Sequence, residues 1–378
     1  MSETQATARV SDLIQIMEDW APAWTAQDWD RVGLLLGEPG APAAKVWTAL
    51  ELGPGILGQA LAQGVQMLLL HHPPLFSSLE RLRTDDPATA RLLRAAQAGL
   101  ALFAAHTNLD AAPGGVNDAL AARLGLVQTR PFAPAGAGGQ VKLVVFAPPE
   151  AMEPVSRALF GAGGGRIGDY RDCSFVGQGL GAYLAPPDGR PYLGSPGRHQ
   201  QVEELRLEVI LPRGRLAPAL AALREVHPYQ EPAFDVYPLA QPPAGFGLGR
   251  VGRLAAPQDG RAFAARAAAE LGAGWAHVAG ALPPKLERVA VVAGSGGDLL
   301  PQAAQAGAQV LVTGEARHHA AQQAADLGLG LICLGHYQTE AVIVEPWAQR
   351  LAQATAARGL HCTVTPWTAG EDPWRPVS

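Results

Sequence analysis

Four short segments concentrate the imidazoles and carboxylates of this chain: His71 with His72, His106 with Asp110, Glu315 with His318 and His319, and His336 with Glu340. Six of the ten histidines fall in them. Each segment follows an apolar run: MLLL precedes His71, LALFAA precedes His106, QVLVTG precedes Glu315 and LICLG precedes His336. If those runs are parallel strands, their carboxyl ends deliver the polar groups to one side of a sheet, where open α/β sheets bind ligands. His336 and Glu340 are spaced i, i+4, so a helix starting near Gly335 puts them on one face, one turn apart. That spacing suits two ligands of one metal, or a carboxylate bridging two. His71 and His72 are adjacent, so on extended backbone they do not easily point to the same metal and could each address one of two. With Asp110 as a second carboxylate, three histidines and two carboxylates suit a dinuclear centre. Mixed N/O ligation without thiolate favours Zn, Mn, Fe, Co or Ni over a structural zinc knot.

The elements that must hold these groups follow a rhythm. Residues 10–20 form an amphipathic helix, with Val10, Leu13, Ile14 and Met17 on one stripe. Strands are expected at Val46–Leu52, Val65–Leu70 and Leu100–Ala105, and helices at Ile56–Ala62, Ala88–Ala98 and Val116–Leu124. The rhythm returns with strands at Arg288–Ala293, Gln309–Thr313 and Leu331–Leu334, a long helix after GHYQTE, and a last strand at His361–Thr365. Alternating strands and helices predict βαβ units and parallel sheet. The fold class is therefore α/β: two blocks, residues 1–126 and 247–378, that share one sheet or pack as two halves of one metal-binding unit. Between them, residues 127–246 change texture. A linker at Pro131–Gln140 leads into strand Val141–Phe146, helix Glu150–Phe160, a glycine hinge at Gly161–Gly165, an alternating strand at Glu203–Leu211, helix Leu216–Val226 and strand Phe234–Tyr237. A second linker, Pro242 to Gly249, returns the chain. That order predicts an inserted ferredoxin-like α+β domain.

Composition narrows the function classes. The 378 residues carry a net charge of −5, so no basic excess exists to neutralise a phosphate backbone, which argues against nucleic-acid binding. Three cysteines without a CxxC spacing point to a reducing cytoplasm, not a disulfide framework. The N-terminal MSETQATARVSDL lacks the basic and apolar regions of a signal peptide, and no apolar run reaches a membrane span. The glycines of GSGGD at 294–298 open a helix and offer an anion seat or a plain tight turn. Cys173 reads as packing, and HPYQEP at 227–232 as a turn and packing motif rather than a second metal site.

Together HHPPLF at 71–76, HTNLD at 106–110, GEARHH at 314–319 and GHYQTE at 335–340 resemble the NIF-three-like family, the dinuclear-metal-centre hexameric proteins also called type 2 GTP cyclohydrolase I homologues. DWDRVGLLLG at 28–37 is similar to the family's WDNVGL segment, with Arg31 where Asn is usual. GGRIGDYRDCSF at 164–175 and HPYQEPAFDVYPL at 227–239 resemble its long-form members, altered at Gln230 and Phe234. The resemblance covers essentially the whole chain. It implies that His71 and His72 bind different metals, that Asp110 and His336 each bind one, and that Glu340 bridges both divalent cations. It leaves His106 as a neighbour that orients a ligand, and His319 and Glu315 as candidates for acid/base work. It implies a homohexamer, as a trimer of dimers or stacked trimers, with the metals facing an internal cavity. Three functional expectations follow: a metal-dependent hydrolase of a nucleotide-like or heterocyclic small molecule, a non-catalytic metal-binding or regulatory scaffold, and a nucleic-acid-binding toroid, the last opposed by the net charge.

Overall fold

A computed structural model of the chain describes residues 6–135, 140–168, 170–239 and 245–374. The segments 136–139 and 240–244, parts of the two expected linkers, and position 169 of the GGRIGDYRDCSF motif lie outside the described residues. The chain divides into two compact units, Met1–Gly136 with Gly245–Ser378, and Ala137–Ala244.

The larger unit holds two main sheets and a two-stranded parallel pair, Ala6–Thr7 with Leu360–His361, where the sequence left open a single shared sheet. The first runs in the order Thr363–Pro366, Lys45–Ala49, Met67–Leu70, Ala101–Ala104, Gly33–Leu36. Its first four strands are parallel and Gly33–Leu36 closes the edge antiparallel. The second runs His277–Ala279, Gly330–Cys333, Val310–Glu315, Leu286–Ser295, Arg250–Gln258, Leu126–Arg130, with its three consecutive C-terminal-block strands parallel at the centre. Each sheet borrows a strand from the other block. Thr363–Pro366 joins the N-terminal sheet and Leu126–Arg130 the C-terminal one, so the two blocks are interlocked. Leu126–Arg130 therefore belongs to this unit, although its residues after 126 were expected in the insert. Arg250–Gln258, helix Gly260–Leu271 and His277–Ala279 were not foreseen either.

Central strands such as MLLL are covered on both faces, which is why they read as unbroken apolar runs. Alternate residues enter different cores. Met67, Leu69, Phe103, Val289, Val291 and Val312 join one cluster with Leu13 and Trp347, while Leu68, Leu70 and Leu102 pack with Ile56, Leu57 and Leu92 on the opposite face. The long helix expected after GHYQTE is two helices, His336–Ala341 and Val344–Ala357. No helix among the described residues is long and apolar enough to cross a membrane.

The smaller unit follows strand Gln140–Ala147, helix Met152–Gly161, strands Ser174–Leu184 and His199–Pro212, helix Leu216–Val226 and strand Phe234–Pro238. Its sheet places the fourth strand beside the first, then the third, then the second, all antiparallel. That is the ferredoxin-like order. His227 is buried there; its Nε2 lies 3.0 Å from Phe146 O and its Nδ1 accepts from Tyr229 N–H, so both ring nitrogens serve the turn.

Candidate metal centre

Strand ends and short helices build one cluster within the larger unit. Met67–Leu70 and Ala101–Ala104 are paired in parallel, Leu70 opposite Ala104, so His71 and His106 emerge close together beyond the same sheet end. Their ring centroids are 5.2 Å apart. Gly330–Cys333 ends two residues before Gly335, whose φ of +96° is open to glycine and turns the chain directly into the helix carrying His336 and Glu340. Thr107–Ala111 is a single short helix that brings Asp110 back under His71.

The five expected ligands converge. His71 Nε2 lies 3.8 Å from Asp110 Oδ1 and 3.8 Å from Glu340 Oε1. His72 Nε2 is 2.9 Å from Glu340 Oε2, and His336 Nε2 is 3.1 Å from Glu340 Oε1. Glu340 is buried, and its two oxygens face different imidazoles. His106 also comes within reach: one ring nitrogen of each of His71, His72 and His106 lies within 4.8 Å of the others, and His72, His336 and Glu340 form a second such group. His106, expected only as a neighbour, thus stands beside His71 and His72 as a further imidazole of the cluster.

The outward nitrogens are held. His71 Nδ1 is 2.9 Å from the Ala105 carbonyl, so it carries the proton and leaves Nε2 with a bare lone pair. His106 Nδ1 sits 2.9 Å from Asp30 Oδ1. Asp30 in turn accepts from the Thr107 N–H at 3.0 Å. Burial alone would raise the Asp30 carboxyl, but His106 and Thr107 outweigh it and hold it down to about 2. His336 Nδ1 lies 3.3 Å from Glu315 Oε1, and His72 Nδ1 lies 3.7 Å from Glu51 Oε2. Carboxylates or carbonyls behind every imidazole are the arrangement that fixes ring orientation and tautomer in metal sites. Asp30 and Glu51 were missed in the sequence. Glu51 lies just past strand Lys45–Ala49, but that strand was expected to run on to Leu52, which put Glu51 inside it and not at its end. Asp30 lies in DWDRVGL, a segment noticed but given no role.

The chemistry of the donor set fits a cation. His71 Nε2 and Asp110 Oδ1 are buried with no hydrogen-bond partner. Glu340 Oε2 approaches His72 without the alignment of a hydrogen bond. Buried polar atoms are rarely left unpaired unless something else completes them. Burial raises the Asp110 carboxyl, whereas Glu340, despite burial, is held well below its ordinary value by His336, His71 and His72. Burial opposes the charged form of His72, yet Glu340 and Glu51 push it up to about 10; Glu340 does the same for His336, to about 9, against burial. The carboxylates thus gather positive charge at this spot, and the His and Glu groups could hold a metal ion.

Other candidates lie elsewhere. His319 sits exposed on the first turn of helix His318–Asp326, with Gln322 and His318 as its partners. Glu315 alone of the two acid/base candidates is beside a proposed ligand. The GSGGD turn is closed to an anion at two points: Gly294 N donates to Thr339 Oγ1 and Gly296 N to Thr313 Oγ1. It works as a tight turn. A Cβ on Gly294, at φ +64°, would stand 2.2 Å from Glu340 Oε1, so the glycine makes room for the carboxylate.

The Duf34/NIF3 (NGG1p interacting factor 3) family profile matches residues 8–373. The "GTP cyclohydrolase 1 type 2 homolog" of Mycobacterium tuberculosis is 38% identical over 373 residues, 97% of each chain. The protein of the same name from Bacillus subtilis is 36% identical over 325 residues, 86% of this chain and 87% of that one. Among solved structures, a Bacillus cereus protein related to NIF3 superposes with a TM-score of 0.74 at 34% identity, covering 98% of this chain and 100% of that chain. Staphylococcus aureus SA1388 gives 0.74 at 27% identity, covering 98% and 99%.

Proposed function

The chain belongs to the Duf34/NIF3 family, and from that premise we propose that its His/carboxylate cluster holds two divalent cations and hydrolyses a nucleotide-like or heterocyclic small molecule. The observation that carries this reading is Glu340: one buried carboxylate directs Oε2 to His72 and Oε1 to His336 and His71. A carboxylate so placed would serve two cations, with His71, His106 and Asp110 holding one and His72 and His336 the other. The family name borne by the relatives supplies the substrate class. Two cations held there would supply activation of water at neutral pH and stabilisation of negative charge in the transition state. The chain's own part is to fix the rings from behind through Ala105, Asp30, Glu51 and Glu315, and to keep Glu340 ionised though buried. Glu315, more than half exposed beside His336, is the group best placed to carry a proton to or from solvent.

The test is a purification without chelator, with bound metal quantified and hydrolysis screened on nucleotides, pterins and phosphoesters. The wild-type chain is expected to hold two metals and turn over at least one of these classes, and Glu340→Gln to lose both properties. Stoichiometric metal with no turnover across the panel would instead favour a metal-binding scaffold.

A further inference from the structure

Two large apolar rings stand exposed beside this cluster, Trp29 at 59% and Phe76 at 55% of their surface. Both are packed against the same imidazole. The Trp29 ring centroid lies 5.8 Å from that of His106, tilted 73°, and Phe76 lies 5.8 Å away, tilted 80°. The two rings can therefore be no further apart than twice that distance. Trp29 is next to Asp30, which holds His106, and Phe76 closes the HHPPLF segment that begins with the first two proposed ligands. Nothing in the metal-binding role calls for either ring. Exposed apolar surface gathered at one polar cleft marks a binding site more often than chance.

The surroundings name the occupant. Aromatic faces stack on flat rings and tolerate many of them. On the His72 and His336 side the rim is acidic, with the half-exposed carboxylates Glu51 and Glu315. Such a rim accepts hydrogen bonds from N–H groups. We propose that Trp29 and Phe76 form an aromatic clamp for a planar amino-substituted heterocycle, of the kind shared by guanine nucleosides and pterins, whose N–H edge is turned toward Glu51 and Glu315. The proposal rests on the metal-site reading above and sets its specificity: the ring is held by stacking against the His106 side, with its reactive carbon delivered over the cluster.

Calorimetric titration of the metal-loaded full chain with guanosine and, separately, with pterin tests it, with ribose 5-phosphate as the ringless control. Both ring probes, or one of them, should bind while the control does not. Trp29→Ala and Phe76→Ala should each weaken binding by about tenfold or more, the usual effect of removing one stacking partner. Trp29→Phe and Phe76→Tyr should stay close to wild type, and metal content should be unchanged throughout. Ring probes that bind no better than ribose 5-phosphate, or alanine variants that bind them like wild type, would overturn the clamp. So would alanine variants that dissociate an assembly while ring binding persists, since the rings would then serve subunit contact. Metal content decides the underlying reading separately: a chain without metal that still binds rings through Trp29 and Phe76 sinks the metal centre and leaves the clamp.

Discussion

At the scale of single residues, the proposed centre depends on groups outside its ligand set. Asp30 is the clearest. It is buried, accepts from Thr107 and holds the Nδ1 side of His106, so the opposite nitrogen faces the cluster as a lone pair. Asp30→Asn keeps the shape but removes the charge that fixes this tautomer. Metal affinity should fall roughly 10- to 100-fold, the range found for partners behind metal-binding histidines. Competition with a chelator of known affinity measures it, and an unchanged affinity would remove His106 from the site. His71, His72, Asp110, His336 and Glu340 were all legible in the sequence, because each closely follows an apolar strand. Asp30 was not, because it comes from a loop more than seventy residues before its partner and meets it only in the folded chain.

Among elements, the site depends on short, tightly turned connections. The six-residue helix His336–Ala341 is aimed by Gly335 at its start and packs where Gly294 leaves space for Glu340. Gly294→Ala puts a methyl group 2.2 Å from Glu340 Oε1 and 3.2 Å from His336 Nε2, on a backbone of φ +64°. The left-handed strain costs about 1–2 kcal/mol, and displacement of the bridging carboxylate should lower metal affinity by about tenfold or more. Circular dichroism and metal analysis together check this: folded protein with full metal content would refute it. Most strands and helices could be read from periodicity, to within a residue or three. Gly33–Leu36 and His277–Ala279 could not. They are short edge strands whose partners lie far away in sequence, so nothing local marks them. The break between Ala341 and Val344 was overlooked, although Pro346 in the first turn of the second helix signals it, because proline is tolerated there and not in a helix interior.

For the whole molecule, the larger unit contains every proposed ligand, and the insert contains none. Ala133 and Leu248 exchange backbone hydrogen bonds of 3.2 and 2.8 Å, bringing together the two points where the chain leaves and re-enters this unit. Replacing 137–244 by a short linker should therefore give folded protein with unchanged metal content; folded protein without metal would refute the expectation. The proposed assembly is a homohexamer. Light scattering at micromolar concentration should then give six chains of 39.4 kDa, about 236 kDa, as a closed symmetric ring requires. A sharp peak at the monomer or dimer mass would rule the ring out. By itself the amino-acid sequence determined the α/β class, and it pointed to the insert and to the proposed ligand set. Those follow from local pattern: apolar runs that must be buried, and polar residues placed where the runs stop. Only the tertiary structure decided that two sheets exchange strands, that His106 and Asp30 join the cluster, and that two of the GSGGD amides are already satisfied. Each of these depends on which distant segments meet, and a hydrophobic period carries no information about a partner's address in the chain.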